Sequence, residues 1–494
     1  MSKKNLVRTA VILAFLPSLL FSQERVRFED YFIDATLRVD YFQTGDAEEL
    51  FFSIDQVYRQ DGWAGNPENL IDDMNSGMYY LKVYSIATNR LIYSRGFATL
   101  FGEYKTTDPA SKGIKKTFHQ TLLLPYPKSA VLLVIEGHDK SHHHILCPIF
   151  SMKIDPEDVN ITRYNPDPRD KAFTILENGH PHDKVDLVFI AEGYTEDNEE
   201  KFLKDVNRLT RVLFNCEPYK THKQRFNVRC VLRPSADPGV DQPTKGIFRN
   251  TAASAAFNAL DLPRYLLIDD NKALRDIASS VPYDAVIVIA DSERYGGGGI
   301  YNDYAITTVD NERSEDVFMH EFGHSFGNLA DEYFTSTVSY NEFYPPGIEP
   351  HEPNITALLD PKNIKWGHLL TPGIEIPTPW GQDEMESLRM QRDTKITELK
   401  KQIEVRKKDQ ASSDEITTLE AKIRETWDYY GSQIKQIMKK YQDLYKGKIG
   451  VFEGAGYSPK GLFRSEVHVG MFYQGEYGKV SEEAILKQIL HLSR

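Results

Sequence analysis

Residues 314–333 read Ser-Glu-Asp-Val-Phe-Met-His-Glu-Phe-Gly-His-Ser-Phe-Gly-Asn-Leu-Ala-Asp-Glu-Tyr and carry the most informative pattern of the chain. Two histidines, His320 and His324, stand four positions apart, and Glu321 directly follows the first. On a helix this spacing projects both imidazoles from one face, where they can bind a single zinc ion. Glu321 would then lie beside the metal, as a general base for water.

The residues around this motif favour a helix. Ser314, Glu315 and Asp316 are typical of a helix start, and Gly327 with Asn328 is typical of a helix end. Apolar residues recur at helical spacing behind the histidines: Val317, Phe318, Phe322, Phe326 and Leu329. Taken alone, the five-residue motif also fits two ordinary core histidines, so the rest of the site has to discriminate between the two interpretations.

A catalytic zinc site needs a third protein ligand and one open position. A chain that leaves the helix at Asn328 can turn back toward the histidines, and two acidic residues follow, Asp331 and Glu332. We expect Asp331 to be the third ligand, with Glu332 as the alternative. The carboxylate that does not bind the metal is expected to orient one of the metal ligands through a hydrogen bond.

The run from His320 to Phe326, continued from Leu329 to Tyr333, resembles the signature of the bacterial immunoglobulin-A peptidase family, whose members are metallopeptidases related to the metzincins. Further segments are similar to the same family: 186–195, 283–288, 295–299, 452–457 and 461–464. The resemblance implies a metzincin-like α/β domain that hydrolyses peptide bonds with zinc, and a β-rich domain that precedes it.

The resemblance also implies a methionine turn beneath the zinc, for which Met471 is the candidate. Tyr473, two residues later, stands where some metzincins place a tyrosine that contacts the zinc or the oxyanion. The chain departs from the metzincin pattern at Ala330, where the third histidine usually stands. Glycines 296–299 either let a substrate strand approach the backbone or form a flexible loop.

The predicted fold class is α+β with several domains. Short alternating apolar segments predict an N-terminal β-sandwich over residues 24–160: 28–33, 36–41, 79–84, 91–93 and 130–135. The proline-bearing residues 164–169 predict a linker. Within residues 161–494, predicted strands and helices alternate and indicate the α/β layer of the catalytic domain: 185–190, 198–214, 226–231, 272–279 and 285–290.

Residues 383–446 are rich in Lys, Glu and Gln and predict an inserted, self-contained helical hairpin. Two apolar seams follow heptad-like steps: Ile396, Leu399 and Ile403, and then Ile416, Leu419, Ile423, Tyr430, Ile434, Ile437, Tyr441 and Leu444. Ser413 or Asp414 is expected to cap the second helix. An oligomerising coiled coil is the alternative, and the oligomeric state stays open.

Residues 1–23 have the basic start and short apolar run of a signal peptide, so we expect a secreted or periplasmic protein. No other segment is long and apolar enough for a membrane span. The net charge of −13 argues against nucleic acid as a partner. Cys216 and Cys230 either pair or remain separate thiols, and His138 with His142–His144 is more typical of a solvated loop than of a metal site.

These patterns predict a secreted zinc-dependent endopeptidase that acts on a protein or peptide. The alternative is a non-catalytic protein that binds a glycan or a protein on a peptidase-like scaffold. The complete set of His320, Glu321 and His324 favours the enzyme, because a scaffold has no need of the carboxylate. The same site would also serve a zinc amidase that acts on non-peptide amides.

Overall fold

The computed structural model describes residues 25–138, 145–334, 343–409, 412–468, 470–471 and 476–494. The chain is a mixed α/β protein with several sheets. The helices are α1 (Phe28–Tyr31), α2 (Leu100–Tyr104), α3 (Asp108–Ser111), α4 (Glu199–Leu213), α5 (Asn271–Ala278), α6 (Ser314–Gly327), α7 (Gln382–Lys408), α8 (Ser413–Leu444) and α9 (Lys479–Leu492). None of these described helices has the length and apolar character that a membrane crossing requires.

The N-terminal strands form two sheets of four strands, in the orders β5-β1-β2-β8 and β4-β3-β6-β7. They are β1 (Phe32–Gly45), β2 (Leu50–Asp61), β3 (Tyr79–Ser85), β4 (Arg90–Phe97), β5 (Lys116–Pro127), β6 (Val131–His138), β7 (Leu146–Ile154) and β8 (Thr162–Arg163). All neighbours are antiparallel except β2 and β8. Alternate residues of both sheets, such as Leu37, Val83 and Leu133, enter one common hydrophobic core.

The predicted strand at 28–33 is wrong over its first four residues. Residues Phe28–Tyr31 form the single helical turn α1, and the strand begins at Phe32. Glu29 and Asp30 lie in the first turn, where the positive end of the helix dipole favours acidic side chains. The ring of Phe28 also stacks on that of Trp63, with the ring centroids 5.3 Å apart.

Residues 171–308 contain a sheet of six strands in the order β15-β16-β14-β10-β11-β9. These are β9 (Lys171–Leu176), β10 (Val185–Glu192), β11 (Phe226–Leu232), β14 (Ala285–Ala290), β15 (Gly297–Ile300) and β16 (Tyr304–Thr308). The four inner strands are parallel, and the edge strands β9 and β15 are antiparallel to their neighbours. Residues 164–169, where a linker was predicted, contain neither helix nor strand.

Both faces of this sheet are covered, which explains the nearly continuous apolar run of β10. Leu187 and Phe189 enter a core shared with α4, α6 and α9, whereas Val188 and Ile190 enter a core shared with α5. The second core also contains a small sheet made of β12 (Ala255–Phe257) and β13 (Leu266–Ile268). A separate sheet of three strands precedes α9. It consists of β17 (Ile355–Thr356), β18 (Phe452–Ala455) and β19 (Ser458–Arg464).

The helices α7 and α8 pack on one another, but the hairpin is less self-contained than predicted. At its base Met385 is fully buried and Ile434 is nearly so, in a cluster with Trp380 and Phe452 of the surrounding domain. Leu444, expected in the seam, is instead 49% exposed. The cap of α8 is Ser412, whose side chain accepts a hydrogen bond from the backbone of Glu415, so the predicted cap was one or two residues late.

Candidate active site

Helix α6 carries the His-Glu-His motif and is held by its apolar face. Phe318, Phe322 and Phe326 are 1%, 0% and 2% exposed and lie in the core between the helix and the sheet. The two histidines therefore face the opposite side, toward a large cavity that they help to line. Amphipathic packing, rather than local preference, fixes the direction in which His320 and His324 point.

The chain reverses directly after α6. Asn328 adopts a left-handed conformation with φ 52°, and the backbone N–H of Leu329 bonds to the carbonyl of Gly323 at 3.2 Å. The Leu329 carbonyl then lies 2.6 Å from His324 Nδ1. Because a carbonyl only accepts, Nδ1 carries the proton, and the lone pair of His324 is on Nε2, which faces the site.

This reversal brings Asp331 to the histidines. Asp331 Oδ1 lies 2.9 Å from His320 Nε2 and 3.5 Å from His324 Nε2, and the two Nε2 atoms are 3.2 Å apart. The three ligand atoms all lie within 4.8 Å of one another. Asp331 Oδ1 is fully buried and makes no well-directed hydrogen bond within the part of the chain that the structure describes.

Glu332, the alternative ligand, points elsewhere. Its Oε1 accepts a hydrogen bond from Asn354 Nδ2 at 3.2 Å, and its backbone N–H donates to the carbonyl of Met471 at 3.1 Å. Burial raises the pKa of Glu332 to about 8, although Arg464 acts in the opposite direction. The geometry therefore places Asp331, and not Glu332, beside the two imidazoles.

Two tyrosines that the sequence analysis did not single out as site residues surround Asp331. Tyr457 donates a short hydrogen bond to Asp331 Oδ2, which leaves Oδ1 directed at the histidines. The ring of Tyr333 lies nearly parallel to that of His320, with centroids 6.3 Å apart. Tyr457 comes from the loop between β18 and β19, more than a hundred residues after the motif, so spacing alone could not have assigned it.

Charges inside the site stabilise one another. Burial opposes ionisation of Asp331, but His324 and His320 outweigh it and hold the pKa of Asp331 well below its usual range. Burial likewise opposes the charge of His324, yet Asp331 raises the pKa of His324 to about 9. Burial raises the pKa of Glu321, against the influence of both imidazoles. Such shifts are typical of functional sites.

Three of the four glycines at 296–299 lie in strand β15, which begins at Gly297, so their interpretation as a flexible loop is wrong for these three. A Cβ at Gly299 would lie 2.3 Å from the Glu321 carbonyl and 3.0 Å from His324 Cβ, and one at Gly297 would lie 2.9 Å from Glu321 Cγ. The edge strand β15 thus lies directly against the motif helix. Only residues without a side chain allow this approach.

Met471 lies beneath α6 and is 1% exposed. Its sulfur would be 3.0 Å from a Cβ placed on Gly323, the glycine between the two histidines. Tyr477 Cε1 would be equally close, so the helix rests on these two side chains. Tyr473, expected near the metal, lies outside the described residues, and His142–His144 do as well.

A second group of acidic and imidazole side chains joins the N-terminal sheets to α5. It consists of Asp40, Asp55 and His119. Arg38 already binds Asp40 at 2.6 Å, and Lys272 binds Asp55 at 2.9 Å. These two side chains supply the positive charge that the carboxylates require, so this group is a structural ion-pair network rather than a metal site.

The cysteines do not form a disulfide. Cys147, Cys216 and Cys230 are free thiols. Burial raises the pKa of Cys216 to about 11 and that of Cys230 to about 12, so both stay protonated and unreactive at neutral pH. Of the two alternatives that the sequence left open, separate thiols are correct.

His320, Glu321, His324 and Asp331 help to line one cavity of about 1380 Å³. A comparison with curated proteins found no match. A comparison with protein families matched the family described as IgA Peptidase M64 over residues 173–489, and the family described as Peptidase M64 N-terminus over residues 27–147. The first match covers well over half of the chain and includes the whole of α6. The chain therefore belongs to the M64 family of IgA peptidases and carries the N-terminal domain of that family.

Proposed function

We propose that the protein is a zinc-dependent endopeptidase that hydrolyses peptide bonds with Glu321 as general base. The observation that carries the proposal is the convergence of His320, His324 and Asp331 on one point, with Glu321 beside them on the same helix and at the same cavity. Membership of a peptidase family supports the reaction class.

The residues present fit a zinc ion. Two imidazoles and one carboxylate are a common ligand set for catalytic zinc, and they leave a fourth position open. The buried Asp331 Oδ1, which makes no well-directed hydrogen bond among the described residues, matches a ligand atom that awaits a cation. A metal at this point would supply the positive charge that the buried Asp331 carboxylate requires.

In this mechanism, bound zinc supplies a Lewis acid that makes an adjacent water more acidic. Glu321 accepts the proton from that water and later delivers it to the leaving amine. Burial raises the pKa of Glu321, which makes its carboxylate a stronger base than an exposed one. The cavity provides room for a polypeptide on either side of the scissile bond.

The surrounding residues hold this arrangement. Leu329 fixes the tautomer of His324, Tyr457 fixes the orientation of Asp331, and Met471 supports α6 in the manner of a methionine turn. Tyr473 is proposed, from the resemblance alone, as a donor to the oxyanion. At the level of the fold, the proposal includes an N-terminal β-sandwich over residues 24–160 and a metzincin-like domain over 161–494.

The proposed location is outside the cytoplasm, either secreted or periplasmic, because residues 1–23 fit a signal peptide. The partner is a protein or peptide substrate. The acidic net charge of −13 disfavours nucleic acid. A non-catalytic binding protein would share the fold but would not need a carboxylate positioned beside the metal ligands.

Metal analysis of the purified chain tests the site. We expect one zinc per chain, loss of that zinc in His320→Ala and His324→Ala, and chelator-sensitive hydrolysis of a peptide library by the parent. Stoichiometric zinc that persists in both variants would refute the site.

A matched pair of variants tests the third ligand. Asp331→Asn is expected to weaken zinc affinity by more than the roughly 10- to 100-fold that loss of an outer partner costs, with activity partly restored by added zinc. Glu332→Gln should bind zinc like the parent, because its carboxyl faces Asn354. The opposite result would make Glu332 the ligand.

A further inference from the structure

The last turn of α6 is capped by a turn of the neighbouring sheet. The final four carbonyls of a helix have no partner within the helix. One of them belongs to Ser325, which directly follows the proposed metal ligand His324. The backbone N–H of Asn302 donates to the Ser325 carbonyl at 2.9 Å, and Asn302 lies in the turn between β15 and β16. This turn therefore supports α6 next to a residue that has to face the metal.

The side chain of Asn302 joins this turn to two further elements. Its Nδ2 donates to the carbonyl of Gly96 in β4 at 2.7 Å. Its Oδ1 accepts a bond from Arg95 Nη2, also in β4, at 3.1 Å, and one from Gln488 Nε2 in α9 at 3.3 Å. An amide is required here, because it offers an acceptor to Arg95 and a donor to the Gly96 carbonyl at the same time.

The backbone of the turn also suits an asparagine. Asn302 has a φ of 53°, in the left-handed region that asparagine adopts more readily than most other residues. The carbonyl of the neighbouring Tyr301 accepts a hydrogen bond from the N–H of Ala98, directly after β4, at 3.0 Å. The end of β4 is thus attached to the turn by a backbone bond and by the side chain of Asn302.

The turn lies at the edge of the active-site cavity. Tyr301 helps to line this cavity, and so do Met78 and Glu103 from the N-terminal part of the chain. The strand that leads into the turn touches the motif itself, since a Cβ at Gly299 would lie 3.0 Å from His324 Cβ. A displacement of the turn would therefore be transmitted to His324 both through β15 and through the end of α6.

We propose that Asn302 is a positioning residue for the metal site, through which the N-terminal sheets hold the end of α6 and raise the affinity for zinc. This inference rests on the proposed function, because it requires His324 to be a metal ligand. Metal ligands have to be held within about 0.5 Å of their productive positions. A looser last turn of α6 would therefore weaken zinc binding before it unfolds the domain.

The variant Asn302→Gly tests this role. It keeps the left-handed conformation and the backbone N–H but loses the three side-chain hydrogen bonds. We expect zinc to bind about 10-fold more weakly, as is typical when a residue that orients a metal ligand is lost, in competition with a chromophoric chelator. Asn89→Gly is the matched control and should bind zinc like the parent, because Asn89 is an exposed asparagine with φ 51° in the turn between β3 and β4.

A double-mutant cycle tests whether the N-terminal sheets act through Asn302. Arg95→Met removes the donor in β4 and should also weaken zinc binding. The loss in the combined variant should be smaller than the product of the two separate losses, because both changes remove the same hydrogen bond. Losses that multiply in full would overturn the inference. So would an Asn302→Gly protein with a lower melting temperature but the zinc affinity of the parent, since that result shows a role in stability alone.

Failure of the inference can be separated from failure of the proposed function. Amide hydrogen exchange of the metal-free protein needs neither zinc nor turnover. Exchange at residues 323–329 that is about 10-fold faster in Asn302→Gly, with α5 exchanging as in the parent, supports the hold on α6 even if the parent hydrolyses nothing. Unchanged exchange at residues 323–329 contradicts the inference even if the parent is an active zinc peptidase.

Discussion

At the scale of single residues, Glu321 is the group on which turnover should depend most. It lies on α6 beside His320 and His324, the proposed metal ligands, and burial raises its pKa. Glu321→Gln keeps the size and hydrogen bonding of the side chain but cannot accept a proton. We expect hydrolysis to fall by about 10²- to 10⁴-fold with zinc content and thermal stability unchanged, as measured by steady-state kinetics and metal analysis. Near-full activity in this variant would exclude the proposed mechanism.

At the scale of elements, the contact between β15 and α6 makes Gly299 indispensable. A Cβ there would lie 2.3 Å from the carbonyl of Glu321, a backbone atom that cannot rotate away. Gly299→Ala should therefore displace α6 and reduce both zinc affinity and activity. Gly431→Ala in α8 is the control, because a Cβ there meets nothing within 4 Å.

The Gly431 variant should be neutral or more stable by up to about 1 kcal/mol, the usual gain of alanine over glycine in a helix. Zinc titration and thermal unfolding of both variants provide the comparison. Normal zinc affinity in Gly299→Ala would mean that α6 tolerates a shift of the strand.

The helical hairpin should be separable in its outer part only. Met385 and Ile434 at its base are buried in a cluster with Trp380 and Phe452, whereas Ile396 and Leu399 further out are buried but do not belong to that cluster. Replacing residues 396–423 with a short glycine-rich linker is expected to leave zinc binding and peptide hydrolysis intact. Deleting all of 383–446 should give insoluble protein, because it exposes the apolar cluster at the base.

Soluble expression, metal content and activity of the two deletions distinguish these outcomes. An outer deletion that loses zinc would show that the hairpin tip supports the active site. A full deletion that folds normally would show that the basal cluster is dispensable.

At the scale of the whole molecule, the N-terminal sheets and the six-stranded sheet meet at a half-buried acid, Asp284. Asp284 precedes β14, and Asp284 Oδ2 accepts a hydrogen bond from the backbone of Asp186 at 2.8 Å. The Arg95 side chain, from the N-terminal sheets, donates to the Asp284 carbonyl at 3.3 Å. Burial and the neighbouring Asp186 raise the pKa of Asp284 from 3.8 to about 8.

This shift predicts that stability depends on pH. The folded state keeps a proton on Asp284 up to about pH 8, whereas the unfolded state loses it near pH 3.8. The contribution is complete below the lower value and is lost as pH rises toward the higher one, with a slope of up to about 1.4 kcal/mol per pH unit. Asp284→Asn should flatten the melting temperature between pH 5 and 8.5. Parallel curves for parent and variant would contradict the shift.

Much of the α/β fold and the position of the motif helix follow from local pattern. The run at 185–190 is apolar at every position except Asp186, and a parallel strand that is covered on both faces requires such a nearly continuous apolar run. The α6 sequence places aromatic residues at helical spacing, and the same spacing sets the two histidines on the other face. Local periodicity is therefore sufficient to predict a helix or strand wherever one face of that segment is buried.

The sequence favoured Asp331 over Glu332 but could not show which of the two carboxylates faces the histidines, because the folded backbone decides the direction in which each adjacent side chain points. Two residues that are distant in sequence make the difference. Asn354 donates a hydrogen bond to Glu332 on the side away from the histidines, and Tyr457 donates one to Asp331 Oδ2, which leaves Oδ1 directed at the histidines. The contribution of Met78 and Glu103 to the cavity likewise depends on how two parts of the chain pack together. Long-range contacts leave no periodic trace in a single sequence, so these features depend on tertiary packing.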